Sequence, residues 1–122
     1  AEFCETKYAL SCSNGTCALH LALKSVDIGP GDEVIVPTLT FISTASMVTL
    51  TGATPVFVDS EPDTWNICPK HLKFAIEDRI QKGKKPKAII AVHLYGMPYK
   101  ADALNEISKI PFVVSILFIL LR

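Results

Sequence analysis

Ala88-Ile89-Ile90-Ala91-Val92, closed by His93, is the stretch that decides the fold. It is an unbroken apolar run with three β-branched residues, and it shows no alternation that would mark a wet face. A strand of this kind is buried on both sides, which is the habit of parallel sheets covered by helices. Working upstream, Gly83-Lys84-Lys85-Pro86 reads as a loop. Before it, Pro69 stands at the first turn of an amphipathic helix, with Leu72, Ala75, Ile76 and Ile80 inward and Lys70, Lys73, Glu77 and Asp78 outward. Pro55-Val56-Phe57-Val58 reads as a strand ending in Asp59 and the acidic turn Ser60-Glu61-Pro62-Asp63. Thr40 to Leu50 reads as a helix closed by Gly52, and Glu33-Val34-Ile35-Val36 as a strand halted by Pro37.

Further upstream, Asp27-Ile28-Gly29-Pro30-Gly31-Asp32 punctuates the end of a helix over Cys17 to Val26. Leu19, Leu23 and Val26 hold one face of that helix, and Ala18, Leu21 and Ala22 extend the apolar surface nearly all round, so burial is expected. Ser13-Asn14-Gly15-Thr16 is a tight turn into it, and Tyr8 to Cys12 is expected to be a short strand. Downstream come the loop Leu94-Tyr95-Gly96-Met97-Pro98, a helix over Ala101 to Lys109, and a last strand within the charge-free run Ile110 to Leu121. Strands alternating with helices define an α/β chain: a partial parallel-type sheet with flanking helices and right-handed crossovers.

Length and charge narrow the function. The 122 residues suit one domain. Twelve basic and twelve acidic side chains give no net field for nucleic acid or anionic membrane. At 49% hydrophobic the chain is too apolar to be disordered. The run 110–121 falls short of the ~20 residues of a membrane span. With no leader at Ala1, a cytoplasmic location is expected, with Cys4, Cys12, Cys17 and Cys68 as reduced thiols. His20, His71 and His93 form no local metal-ligand pair.

Ligands of open parallel sheets sit at the carboxyl ends of strands, which points to Ser13–Thr16, Pro37–Phe41, Asp59–Glu61 and His93–Gly96. Gly15 allows close backbone approach, Thr16 adds a hydroxyl, and the following helix turn directs free amides at the same point, as a phosphate cradle requires. On these four residues alone an ordinary helix start capped by Ser13 or Asn14 is the favoured reading. Phe41 can cover a planar ligand or join the core, Asp59 can bind a ligand or cap a turn, and His93 can meet a ligand or satisfy backbone near Tyr95. Lys82, Lys84, Lys85 and Lys87 form a solvated basic loop. The ATP and dinucleotide glycine fingerprints are absent from the sequence.

Taken together, Cys12-SNGTCALHLAL, Ile28-GPGDEVIVPTLTF, Gly52-ATPVFVD with Asp63-TWNI, and Ala91-VHLYG closely resemble the DegT/StrS family of nucleotide-sugar aminotransferases. The resemblance implies part of the large domain of a pyridoxal-phosphate (PLP) enzyme of the aspartate-aminotransferase fold, fold type I. It implies that Asn14, Gly15 and Thr16 hold the PLP phosphate, that Phe41 stacks on the ring with Thr40 beside it, and that His93 lies near the cofactor floor. It also implies transfer of an amino group, commonly from glutamate, to a keto nucleotide-sugar in surface polysaccharide or glycan biosynthesis, by a homodimer. The family's Schiff-base lysine and pyridinium aspartate have no counterpart in this sequence, so no catalytic residue is assigned. The expectation is therefore an N-terminal fragment, inactive alone. Residues 1–111 form a partial PLP-binding large domain, and residues 112–122 an aberrant apolar tail from truncation or frame shift. A non-catalytic interaction module, or a pseudogene product, on the same half-sheet is the alternative.

Overall fold

A computed structural model describes residues 7–84 and 86–108, together with the backbone of a strand at 114–119. The elements are α1 (Gly15–Ser25), β1 (Glu33–Pro37), α2 (Ser43–Leu50), β2 (Thr54–Val58), α3 (Pro69–Gln81), β3 (Pro86–His93), α4 (Ala101–Ser108) and β4 (Val114–Ile119). The four strands form one sheet in the order β2-β1-β3-β4, and every pair is parallel. The expected α/β architecture is observed, and β4 falls inside the apolar run read as the last strand.

The central strands β1 and β3 are buried on both faces because helices cover both. Val34 and Val36 of β1 and Ala88, Ile90 and Val92 of β3 pack under Leu19 and Leu23 of α1 and Val48 of α2. The intervening residues Ile35, Ile89 and Ala91 point the opposite way, against Leu72 and Ile76 of α3 and Leu104 of α4. Each fully buried aliphatic side chain contributes about 1.5–3 kcal/mol relative to exposure, so the sheet is held chiefly by this two-sided burial.

Both helices of the first layer start at the same edge of the sheet. The carbonyl of Asp27, just past α1, accepts from Lys87 Nζ at the start of β3, so α1 ends at the amino edge. Its 11 residues rise about 16 Å, close to the ~17 Å of a five-residue strand, which carries Asn14–Thr16 to the carboxyl edge. α2 likewise ends beside Pro30 and precedes Thr54, whose amide donates to Asp32 O. Its first turn therefore also lies at the carboxyl edge.

Three local expectations are corrected. Tyr8–Cys12 takes no strand conformation, and Tyr8 and Leu10 are exposed. α1 buries Leu19 and Leu23 but leaves Leu21 exposed, so it is one-sided rather than enclosed. Ile80 is exposed although it was expected inward, because the inner stripe of α3 runs through Leu72, Ala75, Ile76 and Arg79, the last 3.6 Å from Glu33 of β1, and Ile80 is turned off that stripe. The tail boundary at residue 112 lies outside the described residues.

Candidate functional site at the carboxyl edge

Asn14 is the N-cap of α1. Its backbone is extended (φ −164°), and its side-chain oxygen accepts from Cys17 N at 2.9 Å. Ala18 N donates to Asn14 O at 3.1 Å. The amides of Gly15 and Thr16, at the first two helical positions, have no acceptor within the helix. The first turn holds no acidic side chain, Gly15 is exposed and Thr16 is half-buried. Such a turn suits a phosphate, with two outward amides, a nearby hydroxyl, the positive end of the helix dipole and no repelling carboxylate. The capping role and the cradle role are compatible, because Asn14 satisfies Cys17 and leaves the two preceding donors.

Thr40 and Phe41 lie between β1 and α2. The Thr40 hydroxyl is 2.9 Å from that of the buried Thr44, which fixes this loop to the helix it enters. Phe41 is 50% exposed, so part of its side chain is open to a ligand. His93 closes β3, is half-buried, and meets the Tyr99 ring at 4.9 Å between centroids. All six expected cofactor contacts therefore lie on elements opening at one edge. Asp59 accepts from Ser60 N at 2.9 Å and from the Thr38 hydroxyl at 3.3 Å, so it serves as a turn acceptor joining the ends of β1 and β2. Among the described residues no cluster of three metal-ligating side chains is present.

Sequence reasoning did not single out the group that organises this edge. Asn66 is buried. Its side-chain oxygen accepts from Leu94 N at 3.0 Å, and its amide nitrogen donates to Met97 O at 2.9 Å, joining the loop after β2 to the loop after β3. Beside it, the buried Glu61 carboxylate accepts from Asp63 N, from Thr64 N and from the Thr64 hydroxyl, and pairs with Lys100 Nζ at 2.9 Å. The Thr64 hydroxyl and then Lys100 hold the Glu61 carboxyl down to about 2. Asp63 and then Glu61 push the Lys100 ammonium up. These partners are 28 to 39 residues apart. The only local signal was Thr64, three residues past Glu61, as an Asx-like turn would have it.

These two loops and the loop after β1 enclose a cleft of ≈ 910 Å³ walled by Leu39, Thr64, Trp65, Tyr95 and Met97 among others. None of the six expected cofactor contacts lines it.

The DegT/DnrJ/EryC1/StrS aminotransferase family model matches residues 1–114. The chain belongs to that family. Its members are pyridoxal-phosphate-dependent aminotransferases. GDP-perosamine synthase of Caulobacter vibrioides is 49% identical over 109 residues, which is 89% of this chain and 28% of that protein. UDP-2-acetamido-2-deoxy-3-oxo-D-glucuronate aminotransferase of Pseudomonas aeruginosa is 46% identical over the same length. The crystal structure of a DegT DnrJ EryC1 StrS aminotransferase from Brucella abortus superposes with a TM-score of 0.89 at 39% identity, over 95% of this chain and 31% of the other. The fold is thus that of a fold type I PLP aminotransferase, and the family chain described here spans about three tenths of the length of the relatives it matches.

Proposed function

We propose that this chain is the cofactor-phosphate portion of a nucleotide-sugar aminotransferase that moves an amino group, with glutamate as donor, onto a keto nucleotide-sugar in glycan or surface polysaccharide biosynthesis. The observation that carries the reading is the acid-free first turn of α1, opening at the same sheet edge as Phe41 and His93. When bound, pyridoxal phosphate supplies an electron sink for the carbanionic step. Gly15 N and Thr16 N donate to its phosphate and the Thr16 hydroxyl adds a third donor, while Asn14 keeps the cradle shaped by capping the helix. Phe41 covers one face of the ring, with Thr40 holding the Phe41 loop to Thr44. His93 borders the floor of the same space.

In this reading the Schiff-base lysine and the ring-nitrogen aspartate come from outside residues 1–111, so those residues bind and position without turnover of their own. The reading treats residues 112–122 as a departure from the family sequence, although the family match runs to residue 114 and takes in the first three of them. Among the described residues no helix is long and apolar enough to cross a membrane. A cytoplasmic homodimer is proposed for the parent enzyme.

The test is a chimaera: the 109 matched residues of the Caulobacter synthase are replaced by those of this chain, and amino transfer to the keto nucleotide-sugar is assayed. The reading expects activity to persist. It also expects Thr16→Ala in the chimaera to weaken cofactor binding by about tenfold, from the loss of one hydrogen bond to a charged group. A chimaera that folds and binds cofactor but transfers no amino group would overturn it.

A further inference from the structure

α2 starts without the device that starts α1. Its N-cap is Ile42, whose backbone is already helical (φ −53°, ψ −32°) and whose side chain cannot accept a hydrogen bond, where α1 has Asn14. The first turn is met from the loop instead. Thr44 N donates to Phe41 O at 3.0 Å, and Ser46 N to Ile42 O at 3.0 Å, so the helix fixes the carbonyl of Phe41. The Thr44 side chain adds a second tie. A helical threonine can bond the carbonyl four residues back, but the hydroxyl of this fully buried residue is 2.9 Å from the Thr40 hydroxyl, immediately before Phe41. Ser43 beside it is also buried, and its hydroxyl has no partner among the described residues. Of these two hydroxyls, the one on Thr44 is spent on the loop. The other end of the loop is fastened to β2. Thr38 N donates to Val58 O at 2.9 Å, and the Thr38 hydroxyl to the Asp59 carboxylate at 3.3 Å. Asp59 is itself held, its carboxylate accepting from Ser60 N and its carbonyl from Cys68 N, each at 2.9 Å.

We propose that Thr44 and Asp59 are positioning residues for Phe41, holding its loop from the α2 side and from the β2 side in the conformation that covers a cofactor ring; this rests on the reading of Phe41 given above. Both act through Thr40 and Thr38, not by touching the cofactor. A half-exposed aromatic on an untied loop would have to be ordered when the ligand arrives, and that ordering subtracts from affinity. A loop pinned at Thr38, at Thr40 and at the Phe41 carbonyl is ordered beforehand. The two side-chain ties differ in strength for a physical reason. The Thr44 residue is shut off from water, so its hydroxyl has no substitute partner, whereas the Thr38–Asp59 bond is longer and exposed, so water competes for it.

The full chain is titrated with inorganic phosphate and with pyridoxine 5′-phosphate, both followed at the Gly15 and Thr16 amides. The ratio of the two affinities isolates what the ring adds to the phosphate, and Phe41→Ala should collapse it. Thr44→Val keeps the shape and removes the hydroxyl. It should lower the ratio about fivefold while inorganic phosphate binds as before. Thr44→Ser, which returns a hydroxyl, should restore the ratio. Asp59→Ala should lower it about twofold, and as an exposed change it decides the matter if Thr44→Val fails to fold. Ser43→Ala removes the neighbouring unpartnered hydroxyl and should leave the ratio as it is. An unmoved ratio in Thr44→Val and Asp59→Ala overturns the inference. So does an equal loss for both ligands, or a fall in Ser43→Ala as large as in Thr44→Val, since either would make the hydroxyl merely structural. The reading beneath it fails differently, by Phe41→Ala leaving the ratio unchanged.

Discussion

The two edges of this sheet are built from different chemistry. At the amino edge Asp32, Glu33, Arg79 and Lys87 are used to fasten structure. Asp32 accepts from Gly29 N and pairs with Lys87 at 3.1 Å, and Glu33 lies 3.6 Å from Arg79. Gly52 (φ +86°) turns the chain against Pro30. At the carboxyl edge, aromatic and aliphatic side chains stand in solvent, two of them on left-handed backbone, and the first turns of α1 and α2 carry no carboxylate. The amino edge closes the fold, and the carboxyl edge leaves donors and ring faces unspent. That asymmetry is what the strand-end rule for open parallel sheets expects of a binding site.

The contrast can be broken by substitution, and the largest effect belongs to the closing edge. Gly52→Ala meets both an unfavourable φ and Pro30 Cγ, 2.9 Å from the new methyl. It should cost about 3 kcal/mol in denaturant unfolding, with no change in ligand binding beyond that. A cost below about 1 kcal/mol would show that the turn relaxes freely. At the other edge, Asn66→Ala strands the buried Leu94 amide and releases Met97 O. A cost of about 2 kcal/mol is expected. Hydrogen exchange should speed up at Leu94–Met97 while Ile89–Val92 stay protected; uniform acceleration would assign Asn66 to the core instead.

Glu61 gives the comparison a pH axis. Its folded value lies below its ordinary 4.5, at about 2, so the stability it contributes is present above about pH 4.5 and is lost as pH falls through about 2. Lys100→Met removes the second of the two largest causes, so the folded value rises and the acid limb of the stability profile moves to higher pH. Superimposable profiles for the two proteins would dismiss the Lys100 contribution. The smallest effect is expected on the outer face of α3, where Lys73 and Glu77 are 3.9 Å apart and both well exposed. Lys73→Ala should change stability by less than about 0.5 kcal/mol.

What was legible in the sequence follows from how local each signal is. β1 and β3 announce themselves as continuous apolar runs, and Pro69 with Leu72 and Ile76 marks both the start and the inner face of α3. The helix start at Asn14 was legible because capping is decided within four residues. Tyr8–Cys12 misled because its apolar residues alternate as a strand would, and alternation alone does not supply the neighbour a strand must pair with. Ile80 misled because an apolar side chain at the border of the stripe was read as inward, while Arg79 beside it takes the inner position and reaches Glu33. The roles of Asn66, Glu61 and Lys100 were not legible because their partners are distant in sequence, and a polar residue in a loop gives no sign that it will be buried. The same holds for the cleft, whose walls come from three separate loops.

The central claim is that the first turn of α1 grips a phosphate. Its most direct test is an amide-resolved titration of the full chain with pyridoxine 5′-phosphate and, in parallel, with pyridoxine, neither of which carries an aldehyde to react with lysines. Saturating shifts at Gly15 and Thr16 with the phosphorylated compound, absent with the unphosphorylated one, are predicted. Unmoved Gly15 and Thr16 amides, or equal shifts with both compounds, would contradict the claim.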